Sequence, residues 1–416
     1  MSLKASAQLL RDRPFRLLAL GRVISMAGSS VAPVAQAFAV LDLTDSASAL
    51  GLVLMVGFAP RIAFLLVGGV IADRLPRGPV MVVSNLVSAI GQGATALLLI
   101  LNTAQLWHIA ALAAVTGTAS AFFQPASQGI LPQVVGPQDL RQANALLRLS
   151  TNIVQVLGPA LGGLLVALVG SGWGFAWDAV TFAVAALLLA RLKVAHEKIT
   201  TRNFVGELRE GWHEFWSRAW LSSMVVQFAV ANAIWVACFQ LLGPVAAEAD
   251  LGGPKAWGTI TAALALGLII GGLVMIWWQP QRPLVAVCWA SLAKIAPFAA
   301  LAGTDSVLWI AAATFLAGLG IEVIIVSFGA TMQERIPGDR LSRVSSYDIL
   351  LSTAATPVGY ALAGPLSDTF GMSTVFWAAA GLMAVTALAP ATVPGVRHIR
   401  RQDYETEQPP TLAKAT

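Results

Sequence analysis

The sequence predicts an all-α polytopic membrane protein, with twelve transmembrane helices in two pseudo-symmetric six-helix bundles and both termini cytoplasmic. Three observations predict it. First, of 416 residues 57% are hydrophobic and only 11% charged, with a mean hydropathy of +0.74. A soluble domain carries roughly 25% charged residues, and a compact body of this length cannot hide so much apolar surface from water. Second, apolar runs long enough to cross a bilayer recur twelve times. Third, Lys and Arg fall almost wholly in alternate loops, as they do when those loops face the cytoplasm.

A spanning helix needs about 20 apolar residues. The first half supplies runs at 16–40, 50–72, 79–101, 108–131, 144–169 and 173–191, and the second at 220–245, 257–279, 284–303, 307–330, 346–366 and 374–394. The first run follows Lys4, Arg11, Arg13 and Arg16 but is too long for a signal-peptide core and lacks a small-residue cleavage pattern, so it is expected to remain a helix. The loops assigned to the cytoplasm carry Arg74 and Arg77, Arg141, the series from Arg191 and Lys193 to Arg218, then Arg282, and finally Arg335, Arg340 and Arg343. Among the loops assigned outside, only Lys255 is basic. A miscounted helix would reverse the sign of half the loops.

The longest polar interruption divides the chain into a bundle at 1–193, a cytoplasmic linker at 194–219, a second bundle at 220–396 and a tail at 397–416, expected to be disordered. The halves echo each other. Shifted by 201 residues, Gly158, Ala160, Leu161 and Gly163 fall on Gly359, Ala361, Leu362 and Gly364, and a shift of 203 puts Gly68 and Gly69 on Gly271 and Gly272. Parallel repeats of this kind are a transporter architecture with the substrate site between the halves. The net charge of +5 is spread over loops, which argues against nucleic-acid binding. Cys238 and Cys288 lie in apolar runs, and His108, His196, His213 and His398 show no metal-binding spacing. No metal or cofactor is expected. Trp107, Trp173, Trp257, Trp277 and Trp278 lie near span ends and fit an interfacial belt.

After the second run the sequence reads Gly69-Val-Ile-Ala-Asp73-Arg74-Leu-Pro-Arg77. This resembles the signature between helices 2 and 3 of the major facilitator superfamily, with Pro76 and Gly78 departing from it. The resemblance implies that Gly69, Asp73, Arg74 and Arg77 gate the cytoplasmic side, latching onto the start of helix 11 near Ser345, Ser346 and Asp348. In helix 5, Gly158-Pro159-Ala-Leu-Gly162-Gly163 is similar to the core of a motif of exporting branches, where small residues allow close helix packing and Pro159 permits a bend. Ala121-Phe122-Phe123-Gln124-Pro125-Ala126, Leu131-Pro132 and Ala143-Asn144-Ala145-Leu146 resemble the bacterial macrolide and siderophore (enterobactin-type) exporters.

Charges inside the bilayer each cost about 2.5–3.5 kcal/mol on insertion scales, so Arg22, Arg61, Arg148, Asp178, Lys294 and Glu322 are functional candidates by default. On helix 1, Arg22, Ser25, Ser29 and Gln36 share about 60° of arc. Ser120, Phe123 and Gln124 share a side of helix 4, and Asn232, Trp235 and Phe239 cluster on helix 7. In the resembled fold, helices 1, 4, 7 and 10 line the central cavity. Arg22, Ser29, Gln36, Ser120, Phe123, Gln124, Asn232, Trp235, Phe239 and Glu322 are therefore the expected substrate-binding residues. Glu322 is the expected proton-coupling acid, with Asp178 as its rival. Arg61 needs a counterion or a wet pocket, and spacing does not assign one; Lys294 reads as structural.

No Walker-type phosphate loop is present, so an ion gradient is the expected energy source. The chain reads as a secondary active transporter exporting small amphipathic molecules from a bacterial cytoplasmic membrane by proton-coupled alternating access, working as a monomer among membrane lipids. Its partners are that substrate and protons or another coupling ion. A cavity with Phe123, Trp235, Glu322 and amide side chains would suit a bulky, partly apolar and cationic compound. An uptake carrier or facilitator of the same fold is the alternative. A membrane enzyme would need a cluster of His, Asp, Glu or Cys at one face, which the sequence lacks, and a sensory or structural protein would leave costly charges without purpose.

Overall fold

The computed structural model describes residue 9 and residues 11–64, 75–136, 139–192, 212–213, 215–336 and 338–400, without the side chains at 141, 148, 152, 156 and 338–343. Gly69, Asp73 and Arg74, most of the expected linker and nearly all of the expected tail lie outside these residues, as does the Arg148 side chain.

Among the described residues, regular structure is helical throughout. Eleven helices are long and apolar enough to span a membrane: α1 (Arg13–Thr44), α3 (Arg77–Ile100), α4 (Leu106–Gly129), α5 (Leu140–Val169), α6 (Ser171–Ala190), α7 (Ala219–Leu251), α8 (Pro254–Trp277), α9 (Pro283–Gly303), α10 (Val307–Arg335), α11 (Val344–Phe370) and α12 (Met372–Thr392). The remaining expected span, α2 (Ala47–Ala63), is described over 17 residues. Satisfying every backbone group within the segment is what makes a helix viable in hydrocarbon. The lipid-facing surface is legible in α3, where Val83, Ile90 and Leu97, seven residues apart, are all exposed, Ile90 by 71%.

The joints between helices explain the short loops. Asp45 closes α1 in the left-handed region (φ 48°), and the Ser46 hydroxyl accepts the Ala49 amide to cap α2. Gly170 between α5 and α6 and Gly371 between α11 and α12 have φ of +90° and +79°, a conformation favouring glycine. These two glycines are 201 residues apart, the same offset as the helix 5 and helix 11 matches. Repeat symmetry therefore extends to the turn geometry.

In the first half α6 packs on α1 and α3, and α4 on α2 and α3; in the second half α10 packs on α8 and α9, α12 on α9, and α11 on α7. The halves meet mainly through α2 with α11 and α5 with α8. At these seams, Gly51 abuts the Tyr360 carbonyl, Gly364 abuts Ser48, and Gly163 abuts Gly258 and the Pro254 carbonyl. Ser48 Oγ also donates to Asp368 Oδ2 at 2.8 Å. All of these contacts lie toward the face opposite the chain ends.

Tryptophan positions divide. Trp277 is 88% exposed, and Trp107, Trp173 and Trp278 are exposed as an interfacial belt requires. Trp257 corrects the expectation. It is 4% exposed, with its ring over Gly243 of α7 and 4.9 Å from Phe239, because a glycine there leaves a slot that the indole fills.

Candidate translocation site

Helix α1 is broken in its middle: one helical piece ends at Ser29 and the next begins at Ala32. Both sides of the break are held by specific partners. On one side Gly28 abuts Asp178 and Thr181 of α6. Asp178 is fully buried; its Oδ2 accepts Gln92 Nε2 of α3 at 2.7 Å, the Ser29 hydroxyl lies beside it, and its Oδ1 has no hydrogen-bond partner. A buried carboxylate with an unused oxygen is costly as an anion, and a bound proton relieves that cost. On the other side, Gly158 and Gly162 of α5 lie against Ser30 and Val31. Gly163, on another side of the same motif, faces α8 in the other half, where Gly258 also approaches the Pro159 carbonyl. The small residues of α5 thus seat the α1 break and one inter-half seam together.

In the second half, α7 loses α-helical register. Val236–Leu242 and Ala247–Leu251 are π-helical, a feature that recurs at functional sites. Trp235 and Phe239 stack at 4.5 Å and, with Phe298 at 5.7 Å from Trp235, fill the interior between α7, α8 and α9. Both are buried. They are wall-filling groups of the second bundle, which differs from the expected exposure to the cleft; Trp235 ends the regular α-helical stretch, and Phe239 lies within the π turn, where the 100° step no longer holds. Lys294 sits in a 3₁₀ turn that interrupts α9, buried, with Nζ 6.0 Å from the Trp235 ring centroid.

Asn232 Nδ2 donates to the Ser352 carbonyl of α11 at 3.0 Å, and so ties α7 to α11. Glu322 lies in the seam between α10 and α8, where a methyl group on Gly271 would come within 2.8 Å of its Cβ. Phe123 packs into the first bundle's core beside Phe15 and Met81, while Gln124 is exposed and Ser120, Gln36 and Arg22 are half-buried. Ser29 is exposed at the break. Arg61 of α2 is exposed, with Cζ 5.7 Å from the ring centroid of Phe58 on the same helix. Tyr360 meets Phe58 edge-on at 6.3 Å, and its hydroxyl donates to Gln240 Oε1 of α7 at 2.7 Å. Among the described residues no group of His, Cys, Asp and Glu is placed to hold a metal ion.

Residues 18–357 match the family model of the Major Facilitator Superfamily. The chain belongs to that superfamily. Multidrug efflux pump Tap of Mycolicibacterium fortuitum is 26% identical over 93% of this chain and 97% of its own length. Macrolide efflux protein A of Streptococcus pyogenes is 21% identical over 92% and 96%. The crystal structure of peptide transporter POT in complex with sulfate superposes with a TM-score of 0.74 at 13% identity, covering 95% of this chain and 99% of that one. The last likeness is one of fold.

Of the superfamily signature, the structure describes Arg77. Its guanidinium donates to the Gly129 carbonyl at the C-terminus of α4, where a cation also complements the helix dipole. That contact lies within the first half. Asp348 of α11 accepts Ser352 Oγ at 3.0 Å. Sequence reasoning about this superfamily member missed Phe58, Gln240 and Tyr360. Its one pointer was Arg61, a charge in an apolar run whose neighbour Tyr360 stands 299 residues away along the chain.

Proposed function

We propose that this major facilitator exports small amphipathic molecules, drugs or antibiotics among them, across a bacterial cytoplasmic membrane by proton-coupled alternating access. The observation carrying this reading is the near full-length similarity to two efflux proteins from different bacteria. The glycine-lined seams support it: the halves, taken as 1–193 and 220–396, meet through α2 with α11 and α5 with α8, contacts that a rocking motion would part and reform. Its terminal face is taken as cytoplasmic, in keeping with the basic loops.

Asp178 is the favoured coupling acid because its unused oxygen lies at the α1 break, next to the helix that must move; Glu322, in the α8–α10 seam, is the second. Ligand binding is assigned to Arg22, Ser29, Gln36, Ser120 and Gln124 on the first half. The transporter works as a monomer. Everted vesicles containing the protein should accumulate a fluorescent drug on energisation and release it when the proton gradient is collapsed. Accumulation indifferent to that collapse would remove proton coupling, and drug movement only in right-side-out vesicles would turn exporter into importer.

A further inference from the structure

The charge that the sequence leaves without a partner, Arg61, stands where the two halves meet. On α2, Gly51, Phe58 and Arg61 are spaced seven and three residues apart, so they lie along one helical stripe facing α11. Gly51 touches the Tyr360 backbone, and from there the stripe runs toward the end of α2 on the side of the chain termini. Resting on the transport reading above, we propose that Arg61, Gln240 and Tyr360 form the subsite for a carboxylate or similar oxyanion of the cargo, with the Phe58 ring beneath its adjoining apolar part. The transported molecule is accordingly an amphipathic anion or zwitterion rather than a simple cation.

Hydrogen-bond polarity carries the assignment. The Tyr360 hydroxyl donates to Gln240 Oε1, which occupies the amide's acceptor and turns its N–H groups away. Those N–H groups have no partner among the described residues, and Gln240 is exposed although Tyr360 beside it is 5% exposed. Arg61 adds five N–H donors and no acceptor. Two flexible donor groups on a fixed aromatic support offer many donors and almost no free acceptor, which is the complement of a carboxylate; a guanidinium binds one through paired hydrogen bonds.

The charges around the cleft agree. Among the described residues no carboxylate pairs with Arg61 or with Arg22 of α1. Each nearby acid is engaged elsewhere: Asp178 inside the first bundle with Gln92, Glu322 in the α8–α10 seam and Asp348 with Ser352. The Phe58 ring under Arg61 returns only part of the cost of placing the charge there. The subsite is also divided between halves: Arg61 and Phe58 move with the first, Gln240 and Tyr360 with the second. Rocking the halves apart on the other face would dismantle it and release the anion.

The test uses the full-length protein in nanodiscs of phosphatidylcholine, whose headgroup carries no net charge. Binding of a rhodamine with a free carboxylate is compared with that of its methyl ester by fluorescence anisotropy, and transport of both is measured in proteoliposomes. The acid is expected to bind wild type more tightly than the ester. Arg61→Gln is expected to weaken the acid about tenfold and the ester less than twofold, Arg61→Lys to restore part of the difference, and Tyr360→Phe to weaken the acid about threefold by freeing Gln240. Equal affinity for acid and ester in wild type, or equal losses in Arg61→Gln, would overturn the subsite, as would relief of the Arg61 dependence when phosphatidylglycerol is added, which would assign the site to a lipid headgroup. Retention of the Arg61→Lys signal guards against misfolding. Charge-selective binding without transport of either dye would refute the exporter reading and leave the subsite standing; transport without charge selectivity would do the reverse.

Discussion

Replacing Gly163 by alanine tests whether the α5–α8 seam holds shut the face opposite the chain ends. An added Cβ would lie 2.6 Å from the Pro254 carbonyl oxygen and 2.7 Å from Gly258 Cα, where ordinary contact begins at 3.4 Å. Both neighbours are backbone, so no rotamer change relieves the clash and α5 and α8 must separate by roughly 0.8 Å. Overpacking of this kind costs about 1–3 kcal/mol. The state open to the opposite face has this seam parted and does not pay that penalty, so the equilibrium should move toward it by about 5- to 150-fold. The assay is double electron–electron resonance with spin labels at Gln128 and Gln333, exposed residues near the terminal ends of α4 and α10, after Cys238 and Cys288 are replaced by alanine. Gly163→Ala should transfer population to the shorter distance on that face. Gly381→Ala, where a Cβ meets nothing within 4 Å, should leave the distribution unchanged. A folded Gly163→Ala protein with the wild-type distribution would refute the reasoning.

Asp178→Asn keeps the Gln92 contact available and removes the exchangeable proton, so folding should survive while gradient-driven efflux in everted vesicles falls to background; Asp178→Leu should in addition lower thermal stability by about 1–3 kcal/mol through the orphaned Gln92 amide. Arg77→Ala removes the cap on α4 and should lower stability by about 0.3–1 kcal/mol, read as a small fall in Tm. Trp257→Ala empties the slot over Gly243 and should cost about 3–5 kcal/mol, measured by thermal unfolding in detergent; an unchanged Tm would place that indole outside the core.

The spans, their number and the repeat were legible in the chain itself, because crossing a bilayer constrains length and hydropathy one segment at a time. Gly170 and Gly371 show how far this reaches: the turn conformation only glycine adopts freely is encoded locally, twice, at one offset. The glycines of α5 were also legible as packing residues, although the sequence does not say that Gly158 and Gly162 face α1 while Gly163 faces the other half.

Side-chain direction was a different matter. The arc expected of Asn232, Trp235 and Phe239 assumed a regular helix facing the cleft; the π-helical turn of α7 shifts Phe239, the two rings fill the second bundle, and Asn232 binds α11. By itself, then, the sequence determined a membrane-embedded, all-helical chain whose eleven long apolar spans recur at regular spacing. Tertiary structure alone decided what the intramembrane charges meet: Asp178 meets Gln92 at the α1 break, and Arg61 lies over Phe58, whose ring meets Tyr360 across the halves. The physical reason is that hydropathy is a sum over one helix, whereas a contact depends on the relative rotation of two helices that may lie hundreds of residues apart, and no local pattern encodes that rotation.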